Sequence, residues 1–210
     1  QSTINYIIQD KEGFMWFATY NGINRYDGYT FKVYRNIPND KNSLSDNGST
    51  YLYQDKQGYI WIVNNGNQGV DRFDPKTEKF TRFKYSPKDS SSISSNQVYH
   101  VTEDREGNLW VSTKNALNLV TTKTENGKST TLFKRFYYPF EGNKVIWVFD
   151  SKHTGLLLLT TNLYHFDRKK NKFTRNKQVY NNSDIMSVCE DKSGNIWIGT
   201  ERNGVCCYDG

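Results

Sequence analysis

The segment "DREGNLWVST" (Asp104–Thr113) returns 87 residues later as "DKSGNIWIGT" (Asp191–Thr200), and how this pair is read decides the fold. A catalytic motif would gather its Asp, Trp and Thr around one substrate, whereas a repeated building block distributes them. Three more segments align with the pair: "DKEGFMWFATYNGINRYDG" from Asp10, "DKQGYIWIVNNGNQGVDRFDP" from Asp55 and "DSKHTGLLLLTTNLYHFDR" from Asp150. Trp16 to Trp61 is 45 residues and Trp61 to Trp110 is 49. Leu158, expected to take the Trp position of the fourth copy, follows after 48 and precedes Trp197 by 39. Periods of about 40 to 50 residues belong to propeller blades or helical arrays. Short β-rich runs between turn residues, with no long 3.6-residue stripe, select the propeller.

Four strands are legible in each unit. In the first, "TINYIIQD" is strand A, "FMWFAT" strand B, "GINRYD" strand C and "TFKVYRN" strand D; the second repeats them as "STYLYQD", "YIWIVN", "GVDRFD" and "KFTRFKY". Further A strands are "QVYHVTED", "KVIWVFD" and "DIMSVCED", and further D strands include "TLFKRFYY" and "KFTRNKQV". The expectation is an all-β propeller of four-stranded antiparallel blades at 2–37, 47–86, 96–138 and 143–180, with an incomplete one at 183–210. That is about 19 strands, with the fifth unit reaching only strand C. Composition agrees: 15 Tyr, 12 Phe and 5 Trp against 4 Pro and 2 Met favour the pleated surface of a sheet.

In this frame the repeated Asp and Gly make a turn. The carboxylate accepts turn N–H groups and the Gly supplies a positive φ, at Asp10/Gly13, Asp55/Gly58, Asp104/Gly107 and Asp191/Gly194. The fourth copy, with Asp150 and Gly155, reads as longer, and its turn is expected to bulge. The strand that follows is apolar on both faces, as a sheet covered on both sides requires. Trp16, Trp61, Trp110 and Trp197 are expected to fill the space between adjacent blades, and Thr19, Thr113, Thr161 and Thr200 to close the strand.

Little else in the chain suggests chemistry. Carboxylates repeated around a ring are separated rather than paired across a scissile bond. His100, His153 and His165 are solitary, with no HExxH spacing, and "SPKDSSSISSN" has a linker-like composition without a GxSxG elbow. "NNGNQG" lacks the Lys and helix of a P-loop. Cys189, Cys206 and Cys207 lack metal-site spacing, and a bridge from Cys189 to either of the others stays open. No metal or cofactor is implied. The net charge of +6 comes from scattered Lys and Arg, which reads as a solvated surface rather than a nucleic-acid footprint. No apolar run reaches a membrane span, and "QSTINYIIQD" is not a leader, so any signal peptide is expected to have been removed.

With DxxGxxWxxT, a following Gly and an aromatic-Asp pair, plus "SLSDN" and "SISSN" before strands A, the repeats resemble the two-component regulator propeller family. The resemblance covers nearly the whole chain and implies the exported sensor region of a bacterial hybrid two-component histidine kinase, in which this chain would be part of a seven-bladed propeller of about 28 strands. Such a region is periplasmic and dimeric, detects breakdown products of polysaccharides, and switches on the genes that use them. The kinase would lie elsewhere in the protein. Against this reading stand a propeller used only as a protein-interaction scaffold and, third, a propeller lyase or hydrolase.

If the chain senses a ligand, the variable B–C loops, gathered with the D–A loops on one face, are where to look, because binding residues favour loops on rigid scaffolds. Tyr20, Asn21, Asn65, Asn67, Gln68, Lys114, Asn115 and Arg202 are the candidates, with Asn162, Glu201 and Asn203 at the same level. Side-chain amides donate and accept, and rings stack on apolar sugar faces, which suits an oligosaccharide. No catalytic residue is assigned.

Overall fold

The computed structural model describes residues 3–140, 147–180 and 185–208. Strands β1 (Ile4–Gln9), β2 (Met15–Thr19), β3 (Gly22–Tyr26) and β4 (Phe31–Tyr34) form the first sheet, in chain order. The second holds β5 (Ser49–Gln54), β6 (Ile60–Asn64), β7 (Val70–Asp74) and β8 (Lys79–Phe83). The third holds β9 (Val98–Glu103), β10 (Leu109–Thr113), β11 (Ala116–Glu125) and β12 (Lys128–Tyr137). The fourth holds β13 (Trp147–Ser151), β14 (Gly155–Leu159), β15 (Asn162–Asp167) and β16 (Lys172–Tyr180), and the fifth β17 (Ile185–Glu190), β18 (Ile196–Thr200) and β19 (Val205–Tyr208). Every pairing is antiparallel, so the chain is an all-β propeller of four four-stranded blades and a three-stranded fifth among the described residues. The expected blade limits at 2, 143, 183 and 210, and the A-strand starts at Lys144 and Asp184, lie outside the described residues.

First strands pack on first strands, β1 on β5, β5 on β9, β9 on β13 and β13 on β17, which places them innermost. The turn after each is built from one carboxylate. Asp55 Oδ1 accepts the N–H groups of Gln57 at 3.0 Å and Tyr59 at 2.9 Å, while Oδ2 accepts Trp61 Nε1–H at 2.8 Å. Asp10 repeats this with Glu12, Phe14 and Trp16, and Asp191 with Ser193, Asn195 and Trp197. Asp104 holds Asn108 N–H and Trp110 Nε1–H and also receives Arg168 Nη1 at 3.0 Å. Gly13, Gly58, Gly107 and Gly194 have φ of 84 to 93°, where a Cβ is strained.

The clamp aims each indole at the next blade. Trp16 packs with Leu52, Ile60 and Phe73, and Trp110 with Val148, Leu156 and Phe166. Strands β6 and β10 are buried at every residue. A second tie joins neighbouring blades: the residue after each turn Asp, or after Ser151 in the fourth blade, donates its backbone N–H to the side chain that precedes the next clamp. Lys11 donates to Gln54 Oε1 (2.9 Å), Lys56 to Glu103, Arg105 to Asp150 Oδ2 (2.8 Å) and Lys152 to Glu190 (3.0 Å).

That tie corrects the reading of the fourth blade. Asp150 does the work of Gln54 and Glu103, so the clamp position belongs to Ser151, whose Oγ accepts the N–H groups of His153 and Thr154. The Trp position falls to Leu157, not Leu158: Leu157 pairs with Phe149 and packs against Ile196 and Ile198 of the fifth blade. Strand closure likewise falls to Thr160, not Thr161, because Thr160 Oγ1 donates to Asn162 O as Thr113 Oγ1 donates to Ala116 O. The turn is not lengthened either. Three residues separate Ser151 from its partner Gly155, as three separate Asp10 from Phe14, so the glycine moved by one place and no bulge forms there.

No disulfide joins the three cysteines. Cys189 and Cys207 flank Trp197 in one row across the sheet, two strand spacings or about 9.5 Å apart. Cys206, one residue along, lies on the other face, so no bridge forms without moving backbone, since a disulfide needs Cα atoms within about 7 Å. Trp197 also differs from its counterparts in cover: it is 41% exposed, against 0% for Trp16 and Trp110 and 1% for Trp61. In this 210-residue chain, Trp61→Ala should therefore cost about 3–5 kcal/mol in denaturant unfolding, and Trp197→Ala about 1 kcal/mol or less; equal costs would refute the packing described.

Candidate functional site

The B–C and D–A loops are tied to one another. Gly22 N–H donates to Asn47 O and Asn65 N–H to Gly48 O between the first and second blades; Gly69 to Asn96 O and Lys114 to Gln97 O repeat this between the second and third. The D–A loops are pinned, the linker-like "SPKDSSSISSN" included. Arg135 Nε donates to Ser92 O and its Nη2 to Asp89 O, and Arg82 does the same to Ser43 O and Asp40 O. Leu44 and Ile93, carried by these loops, are fully buried, and Ser45 and Ser94 N–H groups end on Asp71 and Asn118.

On this rigid face lies an open cleft of about 470 Å³, lined by Tyr20, Asn36, Ser45, Asp46, Asn47, Gly48, Asn65 and Gly66. Of the residues predicted from the sequence, it brings together Tyr20 and Asn65. Asn21 sits on the other side of Thr19, beside Phe17, Asn24 and Arg35. Asn67 is a turn residue with φ of 61°, and Gln68 Oε1 accepts Lys84 Nζ. Asn115 is engaged by Thr113 and donates to Ser94 O, and Lys114 is exposed one residue before it. Arg202 lies in the fifth blade, paired with Glu201 at 3.5 Å on the surface. Sequence reasoning missed Asn36, Asp46 and Gly48, although "SLSDN" had been singled out as a repeat marker.

The inner strands hold no catalytic cluster among the described residues. Instead Tyr6, Tyr51, His100 and Trp147, one from each of four blades, pack as a row of tilted rings with centroids 4.4, 4.6 and 4.8 Å apart. His100 is 4% exposed; its Nδ1 accepts Val148 N–H from the next blade at 3.3 Å, so the proton sits on Nε2. Desolvation in this row of rings lowers its pKa from 6.5 to about 3. No group of three or more His, Cys, Asp or Glu among the described residues is placed to hold a metal ion. No helix is long and apolar enough to cross a membrane.

A family model described as "Two component regulator propeller" matches residues 1–21, 43–66, 92–115 and 180–202. These segments carry the clamps of blades one, two, three and five. These repeats are those of the two-component regulator propeller family. The fourth clamp, rebuilt around Ser151 and Leu157, is the one the family pattern does not match. A 45-residue stretch, 21% of this chain and 3% of its relative, is 51% identical to Histidine kinase P4 of Formosa agariphila. The extracellular domain of a hybrid two-component system from B. thetaiotaomicron is 25% identical over 99% of this chain and 34% of its own, with a TM-score of 0.59. A second such domain from the same organism is 19% identical with a TM-score of 0.75, over 99% and 29%. Virginiamycin B lyase from Staphylococcus aureus shares the fold at a TM-score of 0.70 and 14% identity, over 100% of this chain and 70% of that one. The chain thus spans about a third of the sensor domains that it is similar to.

The buried imidazole should make this propeller acid-sensitive in a definite window. A His whose folded pKa is depressed contributes stability above its unfolded value and loses it as pH falls from about 6.5 towards about 3. Unfolding free energy should drop by up to about 1.4 kcal/mol per pH unit between pH 6 and 4. His100→Gln, which does not titrate, should flatten that slope in urea titrations; an unchanged slope would place the acid sensitivity elsewhere.

Proposed function

We propose that this chain is part of the ligand-sensing region of a hybrid two-component sensor, contributing five units to a seven-bladed propeller in the periplasm. The observation that carries the reading is the repeat itself, which the family model matches, beside a fold similar to that of the extracellular domains of hybrid two-component systems. Exposed apolar side chains on the first and fifth sheets, among them Ile4, Ile7, Met186, Trp197 and Val205, support further blades on both sides. Ile7 and Trp197 would then be covered as Trp61 is.

In this reading the chain has no catalytic task. Oligosaccharides released from polysaccharides bind the sensor region as a homodimer, and a kinase elsewhere in the protein passes the signal to the genes of polysaccharide use. The shared fold with virginiamycin B lyase does not favour an enzyme, because fold and function separate; on the first strands the rings of Tyr6, Tyr51, His100 and Trp147 pack on one another.

The coding DNA that continues from codon 210 tests the proposal. A membrane-spanning segment followed by kinase and receiver motifs is the expected result. An uninterrupted soluble protein without a kinase would overturn it.

A further inference from the structure

We infer that the cleft between the first two blades is a saccharide subsite, and that it takes an uncharged sugar ring. This deepens the sensing role proposed above and rests on it. Comparison of two equivalent places in the molecule carries the inference. Asn47 and Asn96 make the same bonds on the loop face: each side-chain Oδ1 accepts the N–H of the residue two beyond strand D, Asn36 or Tyr85, and each backbone O accepts a B–C glycine. Gly48 and Gln97 also correspond, each donating its N–H to the side chain two residues earlier, Asp46 Oδ1 at 2.7 Å or Ser95 Oγ at 3.1 Å.

The scaffold is therefore the same at both places, and the residues mounted on it differ. Where the second interface has Asn65, Ser95 and Gln97, the first has Tyr20, Asp46 and Gly48. Glycine opens the cleft: a Cβ at residue 48 would stand 3.2 Å from both Asn65 Cβ and Asp46 Oδ1, and 3.8 Å from the Tyr20 ring. The Tyr20 ring is 54% exposed and forms a wall. Asp46 Oδ2 and Asn65 Nδ2 have no partner among the described residues, since Asp46 uses Oδ1 on Gly48 and Asn65 uses Oδ1 on Gly66.

A flat ring, one free carboxylate oxygen and one free amide N–H₂ match a pyranose. Its C–H face lies on the tyrosine, one hydroxyl donates to Asp46, and another accepts from Asn65. No Lys or Arg lines the cleft, and the one charge in it is negative. Uronate or sulfate groups are excluded by like charge, so the net charge of +6 has no part in this subsite.

Titration calorimetry of the full-length protein with neutral gluco-, manno- and xylo-oligosaccharides, and with uronic and sulfated ones, tests this. Neutral sugars should bind. Tyr20→Ala should weaken them about tenfold, and Gly48→Gln, which installs the residue of the next interface, should block the site, with the melting temperature of Tyr20→Ala unchanged. Binding of acidic glycans alone, binding of no glycan, or wild-type affinity in Tyr20→Ala would each overturn the subsite. The sensor reading fails separately: a kinase encoded downstream sustains it whatever the cleft does, and neutral-sugar binding through Tyr20 without a downstream kinase would leave the subsite and remove the sensor.

Discussion

A turn carboxylate, present in four of the five blades and buried in three of them, holds this structure together. Asp55 shows it most simply: one oxygen closes the A–B turn on two backbone N–H groups, and the other holds the indole of Trp61 against the neighbouring sheet. The carboxylate is 5% exposed, a costly place for a charge unless hydrogen bonds satisfy it. Three short N–H donors do so, and charge-assisted bonds of this kind are the stronger class. Local turn and inter-blade packing are thereby made one event. In the fifth blade the indole of Trp197, and then Asn195, hold the Asp191 carboxyl down to about 2 even at the surface, so the clamp forms without a covering blade.

The architecture was legible because a repeat of fixed chemistry announces itself. The strands, their order and the Asp–Gly turns all follow from "DREGNLWVST" and its copies. The link from Asp to Trp was equally visible as a constant spacing of six residues, at Asp10/Trp16, Asp55/Trp61, Asp104/Trp110 and Asp191/Trp197, but spacing alone does not say that two side chains meet. The fourth blade misled for a physical reason. Asp150 is acidic and precedes a glycine, yet a carboxylate one residue earlier serves the inter-blade tie, and a serine hydroxyl suffices for the turn where no indole needs an acceptor. Once Ser151 is the clamp, Leu157 and Thr160 fall into register with Trp110 and Thr113.

The loop face was legible only in part. The sequence points to the residues beyond the closing Thr, and Tyr20 and Asn65 do share a cleft, but Gln68, Asn115 and Arg202 are engaged by Lys84, Ser94 and Glu201. The other half of the cleft comes from the D–A loop that precedes the second blade. Its order comes from Arg82, on the last strand of that blade, which binds backbone carbonyls 38 and 42 residues earlier, as Arg135 of the third blade binds those of the linker-like "SPKDSSSISSN" 43 and 46 residues earlier. Such long-range pinning leaves no local trace, and it is what turns a loop into a wall of a site.

The dependence of the blade on its clamp is measured most directly by a double-mutant cycle on Asp55→Ala and Trp61→Phe, with stability read from denaturant unfolding. Asp55 has no ion pair to confuse the cycle, and Trp61→Phe keeps a ring while removing the N–H. If turn and packing are one event, the two changes couple by about 1–3 kcal/mol. Costs that simply add, within about 0.5 kcal/mol, would mean that turn and indole are independent and that the clamp does not organise the blade.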